Sequence, residues 1–319
     1  MNSANNIPTE QDAIRILKAT LGKEVKDIHR FSTGVTNYVY GVTTTDGQEL
    51  VVRLTTIEKK FFFEGAIHWH KTLMDKGVPL AALYYSTTDE SKFGFPVMIM
   101  QRLEGKDLGE IYQDLTNIQK KELAKRIAII QRSVATLPMG HGFGYASSVD
   151  DPSLRLQWID VLDVSLERSQ QRIKQIGAIS SDIVDRVKKA IHSYDVYFAL
   201  VKPECFLDDT TTKNVMIKDG RLSGIVDVDT VAYGDSLFPI ALTRMSLLAK
   251  GYDTKYVDYW IEELNITAQQ REALNLYSAI FCVDFMGEIG QSFNKEQAEP
   301  VDLIKVKKYK SILDFLLHE

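Results

Sequence analysis

The chain is poor in cysteine, has no long apolar run and carries no excess of positive charge. Its 319 residues include two cysteines, Cys205 and Cys282, without CxxC or metal-ligand spacing. That argues against a disulfide framework. No run reaches the ~18 apolar residues of a spanning helix. The opening stretch, MNSANNIPTEQDAIRILKATLG, lacks a basic segment followed by an apolar one. The expectation is a soluble, cytoplasmic protein with no membrane partner. A net charge of −5 argues against a nucleic-acid surface. Internal repeats and low-complexity tracts are absent as well.

What is there is ordinary globular material, 45% hydrophobic and 25% charged, long enough for one large domain or two lobes. Up to residue 103 the chain reads as strand-rich with one helix. NYVYGVTTTDGQELVVRLT has two β-branched and aromatic runs around Asp46-Gly47, the dipeptide of a type I′ turn. FFFEGAIHWHKTLMDKGVP reads as a helix ended by Gly77, and FGFPVMIMQRL as a buried strand. Its three phenylalanines, Phe61 to Phe63, are expected to pack against the sheet. His68 and His70, two apart on a helix, point to different faces and do not form a metal pair.

Beyond Gly105 helices dominate. Thr116 and Gln119 form a capping box ahead of Leu123, Ile127, Ile130, Val134 and Leu137, one apolar face of an amphipathic helix. A further helical run is expected over 153–200. The organisation implied is α+β: a sheet-rich unit over 1–103 and a helical unit over 104–319, joined at MQRLEG, Met100 to Gly105.

One stretch interrupts the helices. CFLDDTTTKNVMIKDGRLSGIVDVDTVAYGD, Cys205 to Asp235, gathers carboxylates around a hairpin that Asp219-Gly220 would close. Carboxylates at that density repel one another unless a cation sits among them; a solvated loop is the alternative. If Lys218 pairs with Arg221, Asn214 comes opposite Ile225 and Asp227 becomes its diagonal neighbour, about 7–8 Å away. An amide oxygen and a carboxylate so placed can converge on Mg²⁺ at about 2.1 Å each. Asp209, five residues before Asn214, would lie in the loop feeding the hairpin, where a base beside a metal-held phosphate belongs.

Taken together, Asp209, Asn214, a Val/Met/Ile strand, the Asp-Gly turn and GIVD ending in Asp227 resemble the aminoglycoside phosphotransferase (APH) and choline kinase-like family. These are small-molecule relatives of protein kinases whose signature reads H-G-D-L-H-P-G-N, a hairpin, then I-D-F. The resemblance implies a protein kinase-like fold of a small sheet-rich N-lobe and a larger helical C-lobe. It gives Asp209 the catalytic position and Asn214 and Asp227 the two Mg²⁺-ligand positions. STGVTNYVY resembles the family's nucleotide loop, which places Ser32, Gly34, Thr36 and Asn37 at the ATP phosphates. Arg53 takes the phosphate-contacting position, Glu64 that of the helix glutamate paired with it, and Met100, Gln101 and Leu103 the nucleotide-facing hinge. The resemblance covers roughly Thr33 to Ala241.

Three departures stand out. Leu207 replaces the family's histidine, Asp208 replaces a small residue, and Pro239 stands where an aspartate is common. The function implied is ATP- and Mg²⁺-dependent phosphorylation of a hydroxyl on a small molecule. A kinase-like nucleotide-binding protein with little catalysis is the alternative that Leu207 and Pro239 suggest. For the acceptor, nine acidic residues against three basic ones between Gly251 and Pro300 favour a cationic partner, although a solvated helical face has the same composition. Within that segment Asp284 and Glu288 share one helical face and are the candidate substrate-binding pair.

Overall fold

Thr9 opens the fold by accepting the Asp12 N–H, and Asp12 caps the Thr9 N–H in return, which starts α1 (Glu10–Leu21). This computed structural model describes residues 7–31, 37–148, 151–291 and 300–317. After α1 come β1 (Val25–Arg30), β2 (Tyr38–Thr44), β3 (Glu49–Leu54), α2 (Lys60–Asp75), β4 (Leu83–Thr87), α3 (Glu90–Phe93) and β5 (Val97–Gln101). The strands form an antiparallel sheet in the order β1-β2-β3-β5-β4. The N-terminal part thus carries α1 and the one-turn α3 as well as α2, where one helix was expected; Asp12, rather than Glu or Gln, completes the capping box of α1.

The β2–β3 turn also differs from a two-residue type I′ turn. Thr43 pairs with Glu49, the Gly47 N–H returns to Thr44 O at 3.0 Å, and of Asp46 and Gly47 only Gly47 has positive φ, 82°. A type I′ turn needs positive φ at both central residues. Phe61 and Phe62 are more than half exposed, and only Phe63 packs under the sheet, with Ala81, Met98 and Met100. One residue per turn faces the sheet, so three consecutive phenylalanines cannot all do so.

The helical part comprises β6 (Lys106–Asp107), α4 (Leu108–Ile111), α5 (Asn117–Val134), β7 (Gly144–Ala146), α6 (Trp158–Ile176), α7 (Asp182–His192), α8 (Asp195–Ala199), β8 (Glu204–Phe206), β9 (Val215–Lys218), β10 (Arg221–Ile225), β11 (Val231–Gly234), α9 (Phe238–Lys250), α10 (Lys255–Leu264), α11 (Ala268–Glu288) and α12 (Leu303–Leu316). The Thr116–Gln119 box is present at the head of α5. The run expected over 153–200 is divided into α6, α7 and α8, with Gly177 in the left-handed region ending α6. Two small sheets, β10-β9-β6 and β7-β11-β8, carry the loops of the site.

The fold is the kinase-like two-lobe arrangement. One core lies between α1 and the first sheet, built on Ile16, Leu17, Tyr40, Val52 and Ile99. A larger one fills the helical lobe around Trp158, Phe238, Trp260 and Tyr277. Trp69, Leu73 and Val78 at the C-terminal end of α2 belong to the larger core, and the Trp69 indole donates to Ala146 O at 2.9 Å. Among the described residues no helix is long and apolar enough to cross a membrane.

Candidate active site

The carboxylates converge where β8 ends. Leu207 turns its side chain into the large core, while its main chain is held by Gln131 of α5: the amide donates to Leu207 O at 3.0 Å and accepts from Leu207 N at 3.1 Å. Asp209 then forms an Asx-turn, its Oδ1 accepting the Thr211 N–H at 3.1 Å. The Asn214 amide donates to the main-chain oxygen of Asp209 at 3.3 Å, which ties the Asn214 side chain to the same loop.

The hairpin that follows has the expected turn and an unexpected register. Lys218 pairs with Arg221 around Asp219 and Gly220, at φ 51° and 71°, the two positive values of a type I′ turn. Leu222 then faces Ile217 but Gly224 faces Met216, so Ser223 is an extra residue and the ladder slips by one. Asn214 therefore comes opposite Val226, whose N–H it accepts at 2.9 Å, and not opposite Ile225. Asp227 follows at once, with φ 59°, in a left-handed conformation uncommon for a side-chain-bearing residue. Packing accounts for the glycine beside the bulge. Gly224 lies so close to the join between the lobes that a Cβ on it would be 2.6 Å from Leu103 Cδ1 and 2.7 Å from Pro79 O.

Arg53, only 8% exposed in β3, reaches across the cleft. Its Nη2 lies 2.6 Å from Asp229 Oδ2 and 3.9 Å from Asp227 Oδ1. Asn37 donates to the same Asp229 oxygen at 3.2 Å. The partner expected for Arg53 was Glu64, and that pairing is not formed. Glu64 is exposed and accepts from Thr88 Oγ1 at 3.0 Å. The helical phase explains it: Phe63 takes the inward position of α2, and the next residue is rotated about 100° away.

Asp208, Asp209, Asp227 and Asp229 crowd together with Arg53 among them. Burial, the Asp209 charge and, more weakly, the Asp227 charge push the Asp208 carboxyl up to about 7. Burial and the Asp229 charge likewise raise Asp227. Asp229 Oδ1 and Arg53 Nε are buried without a hydrogen-bond partner. Such a cluster suits a cation and a polyanion better than it suits itself. Among the described residues no three of His, Cys, Asp and Glu form a metal-binding group. A protein-held Mg²⁺ would therefore rest on Asn214 and Asp227, with its other ligands from phosphate and water, as is usual for this ion.

Of the remaining expected nucleotide residues, Ser32, Gly34 and Thr36 lie outside the described residues. Met100 is buried in the Phe63 cluster, Leu103 packs against it, and the Gln101 N–H is given to Ala82 O at 2.8 Å.

The pair proposed for the acceptor proves unequal. Asp284 is buried, and its Oδ1 already takes Ser169 Oγ at 3.0 Å, Arg168 Nη2 at 3.2 Å and Arg172 Nη1 at 3.3 Å. Glu288 is exposed at the end of α11, its carboxyl raised by desolvation and by the Asp284 charge. Between this region and the Asp209 loop stands Tyr145 on β7, its phenol raised by burial and by the Asp208 charge.

Sequence reasoning missed Asp229 and Gln131. The only local signal for Asp229 was the repeated acid in DVD; Gln131 left none.

Residues 27–274 match the model of the phosphotransferase enzyme family, APH. The chain belongs to that family. Among solved structures it is similar to a thermostable mutant of aminoglycoside phosphotransferase APH(4)-Ia, with 15% identity, 96% of this chain and 98% of that one covered, and a TM-score of 0.66. It is also similar to APH(2″)-IIa, with 13% identity, 97% of each chain covered and a TM-score of 0.64. A putative fructosamine-3-kinase from Thermobifida fusca shares 16% identity over 94% of this chain and 98% of that one, with a TM-score of 0.60. At these identities the likeness shows the fold. No curated protein sequence matches.

Proposed function

We propose that the chain transfers the terminal phosphoryl group of ATP, with Mg²⁺, to a hydroxyl of a small molecule. The observation that carries this reading is the placing of Asp209, Asn214 and Asp227 around one loop and hairpin, facing an arginine from the opposite lobe. Asp209 accepts the proton of the attacking hydroxyl and aligns its oxygen. Arg53 binds phosphate oxygens, and Asn37 stands beside it at the end of the nucleotide loop, with Ser32, Gly34, Thr36 and the hinge residues Met100, Gln101 and Leu103 completing the nucleotide site. Asn214 and Asp227 would hold Mg²⁺, which supplies charge neutralisation at the phosphates. Positioning and electrostatics account for most of the acceleration in this class of transfer.

The neighbours support the substrate classes. APH(2″)-IIa was solved with streptomycin and ATP, and an APH(4)-Ia variant with AMP-PNP and hygromycin B. For the acceptor we retain an amine-bearing alcohol, with a change in which residue would meet it. Asp284 is engaged by two arginines, so the attraction for a cation falls to Glu288 and the acidic balance of the helices around it.

ADP release by purified protein with Mg²⁺-ATP and a panel of amino alcohols, sugars and aminoglycosides identifies the acceptor. With it, Asp209→Asn is expected to lower kcat by roughly 10² or more while nucleotide affinity stays within a few-fold. Undiminished turnover in that variant would remove Asp209 from the role of base.

A further inference from the structure

The loop that carries Asp209 lacks two supports that the family resemblance leads one to expect, a histidine where Leu207 stands and an aspartate where Pro239 stands. The structure fills both from other elements. Gln131 is 6% exposed, and its single amide satisfies both main-chain groups of Leu207. This is the paired bonding a neighbouring strand would provide, made by one side chain where β8 gives out. Nothing else in α5 can do it: the residues a turn away, Ile127 and Val134, are apolar core.

On the far side of Asp209, Thr243 stands one helical turn after Pro239 in α9. Its hydroxyl is shared between Pro239 O at 2.9 Å and Thr210 O at 3.3 Å. The loop is further tied by Thr212 Oγ1, 3.1 Å from Ser246 Oγ, and by Thr212 O, which accepts the Gly109 N–H at 2.8 Å. Asp209 itself thus sits between two fixed points, Leu207 and Thr210, each held by a buried, uncharged side chain.

We propose that Gln131 is the positioning residue for Asp209, with Thr243 assisting from the opposite side, so that the loop keeps its catalytic geometry without the histidine and the aspartate. The inference rests on the reading of Asp209 as the base. Gln131 has no part in the transfer: both ends of its amide are taken by the Leu207 main chain. Its effect is to hold the Leu207 main chain, two residues from the carboxylate. A misplacement of ~1 Å in such a group can cost about 10²-fold in rate.

The test uses the full chain with Mg²⁺-ATP and the acceptor from the screen, or water as acceptor, read as ADP release, if no alcohol responds. Gln131→Met, nearly isosteric, is expected to lower turnover about 10- to 100-fold while Mg²⁺-ADP affinity stays within about two-fold. Hydrogen exchange should rise in the segment 205–214. Gln131→Glu keeps an acceptor for the Leu207 N–H but, when ionised, has no donor for its carbonyl; it should fall below wild type at pH 8 and gain relative to it as the pH falls and the carboxyl acquires a proton to donate. If Gln131→Met does not fold, this variant decides alone. Thr243→Val should lower turnover by a smaller factor, and Thr243→Ser should restore it.

Wild-type turnover in Gln131→Met, or in Gln131→Glu at pH 8, would overturn the proposal. So would a loss of nucleotide affinity in step with turnover, which would mark general support of the fold. Asp209→Asn run in parallel separates the two readings. If it is fully active, the base assignment fails; if it is crippled while the Gln131 variants are normal, only the positioning role fails.

Discussion

A single contact, Arg53 to Asp229, shows how this site departs from expectation. The arginine is buried, and its charged partner comes from the other lobe, 176 residues along the chain. Removing Asp229 leaves a buried guanidinium without its counter-charge, which is costlier than the loss of one hydrogen bond suggests. Asp229→Ala is therefore expected to raise KM for ATP several-fold and to lower stability by about 1–3 kcal/mol. Combined with Arg53→Ala, it should add little. Glu64→Ala, at an exposed side chain bonded to Thr88, should change either quantity by less than about 0.5 kcal/mol. Steady-state kinetics and urea melts of the three variants and the double mutant check this, and a full Glu64 effect with additive losses would contradict it. Asp209, Asn214 and Asp227 were legible in the sequence because their relation is local, within one loop and one hairpin. Asp229 was not, because its role is defined by a residue on a distant strand. Glu64 was misassigned because a run of FFFE does not reveal which member faces inward.

Among the elements, the β9–β10 hairpin carries the most consequence. Its Asp219-Gly220 turn could be read directly, as could the Thr116–Gln119 cap of α5, since both are written in adjacent residues. The bulge at Ser223 could not; it lies beside a tertiary contact, in which Gly224 sits against Leu103 and Pro79 and Ile225 donates to Pro79 O at 2.9 Å. That contact joins the hairpin before Asp227 to the segment linking the lobes. Gly224→Ala would place a methyl where Leu103 and a main-chain oxygen already stand. Overpacking of this kind costs typically about 1–3 kcal/mol. The expected outcome is a melt shifted by that amount together with a weaker Mg²⁺ dependence of nucleotide binding, measured by calorimetry with and without the ion. Normal stability with normal Mg²⁺ dependence would show that the join and the hairpin are not coupled. The turn at Asp46-Gly47 teaches the same limit from another side: the dipeptide marked the turn, but the residue count of the loop chose its type.

At the level of the whole molecule, the carboxylate cluster bears on stability as well as chemistry. Asp208 keeps its proton in the fold up to about 7, whereas an aspartate in an unfolded chain releases it near 4. The sign follows from linkage: its contribution to stability is complete below about pH 4 and is lost as the pH rises through about 7. Asp208→Asn, which cannot ionise, should therefore be more stable than the native chain at pH 8 and indistinguishable from it at pH 4. Urea melts without Mg²⁺ at the two values decide it, and an equal difference at both would locate the effect elsewhere. The two-lobe division was legible from the change in patterning near Gly105, but the sharing of α2 between cores was not. Trp69 anchors that helix to Ala146 in the helical lobe, while Phe63, six residues earlier, packs with Ala81 and with Met98 and Met100 of the sheet. Mechanically the helix is a shared rivet, with one end pinned in each core. The sheet-side contact of Phe63 includes two thioethers, Met98 and Met100, side chains that change shape at little cost, so that end of the rivet is the more compliant one.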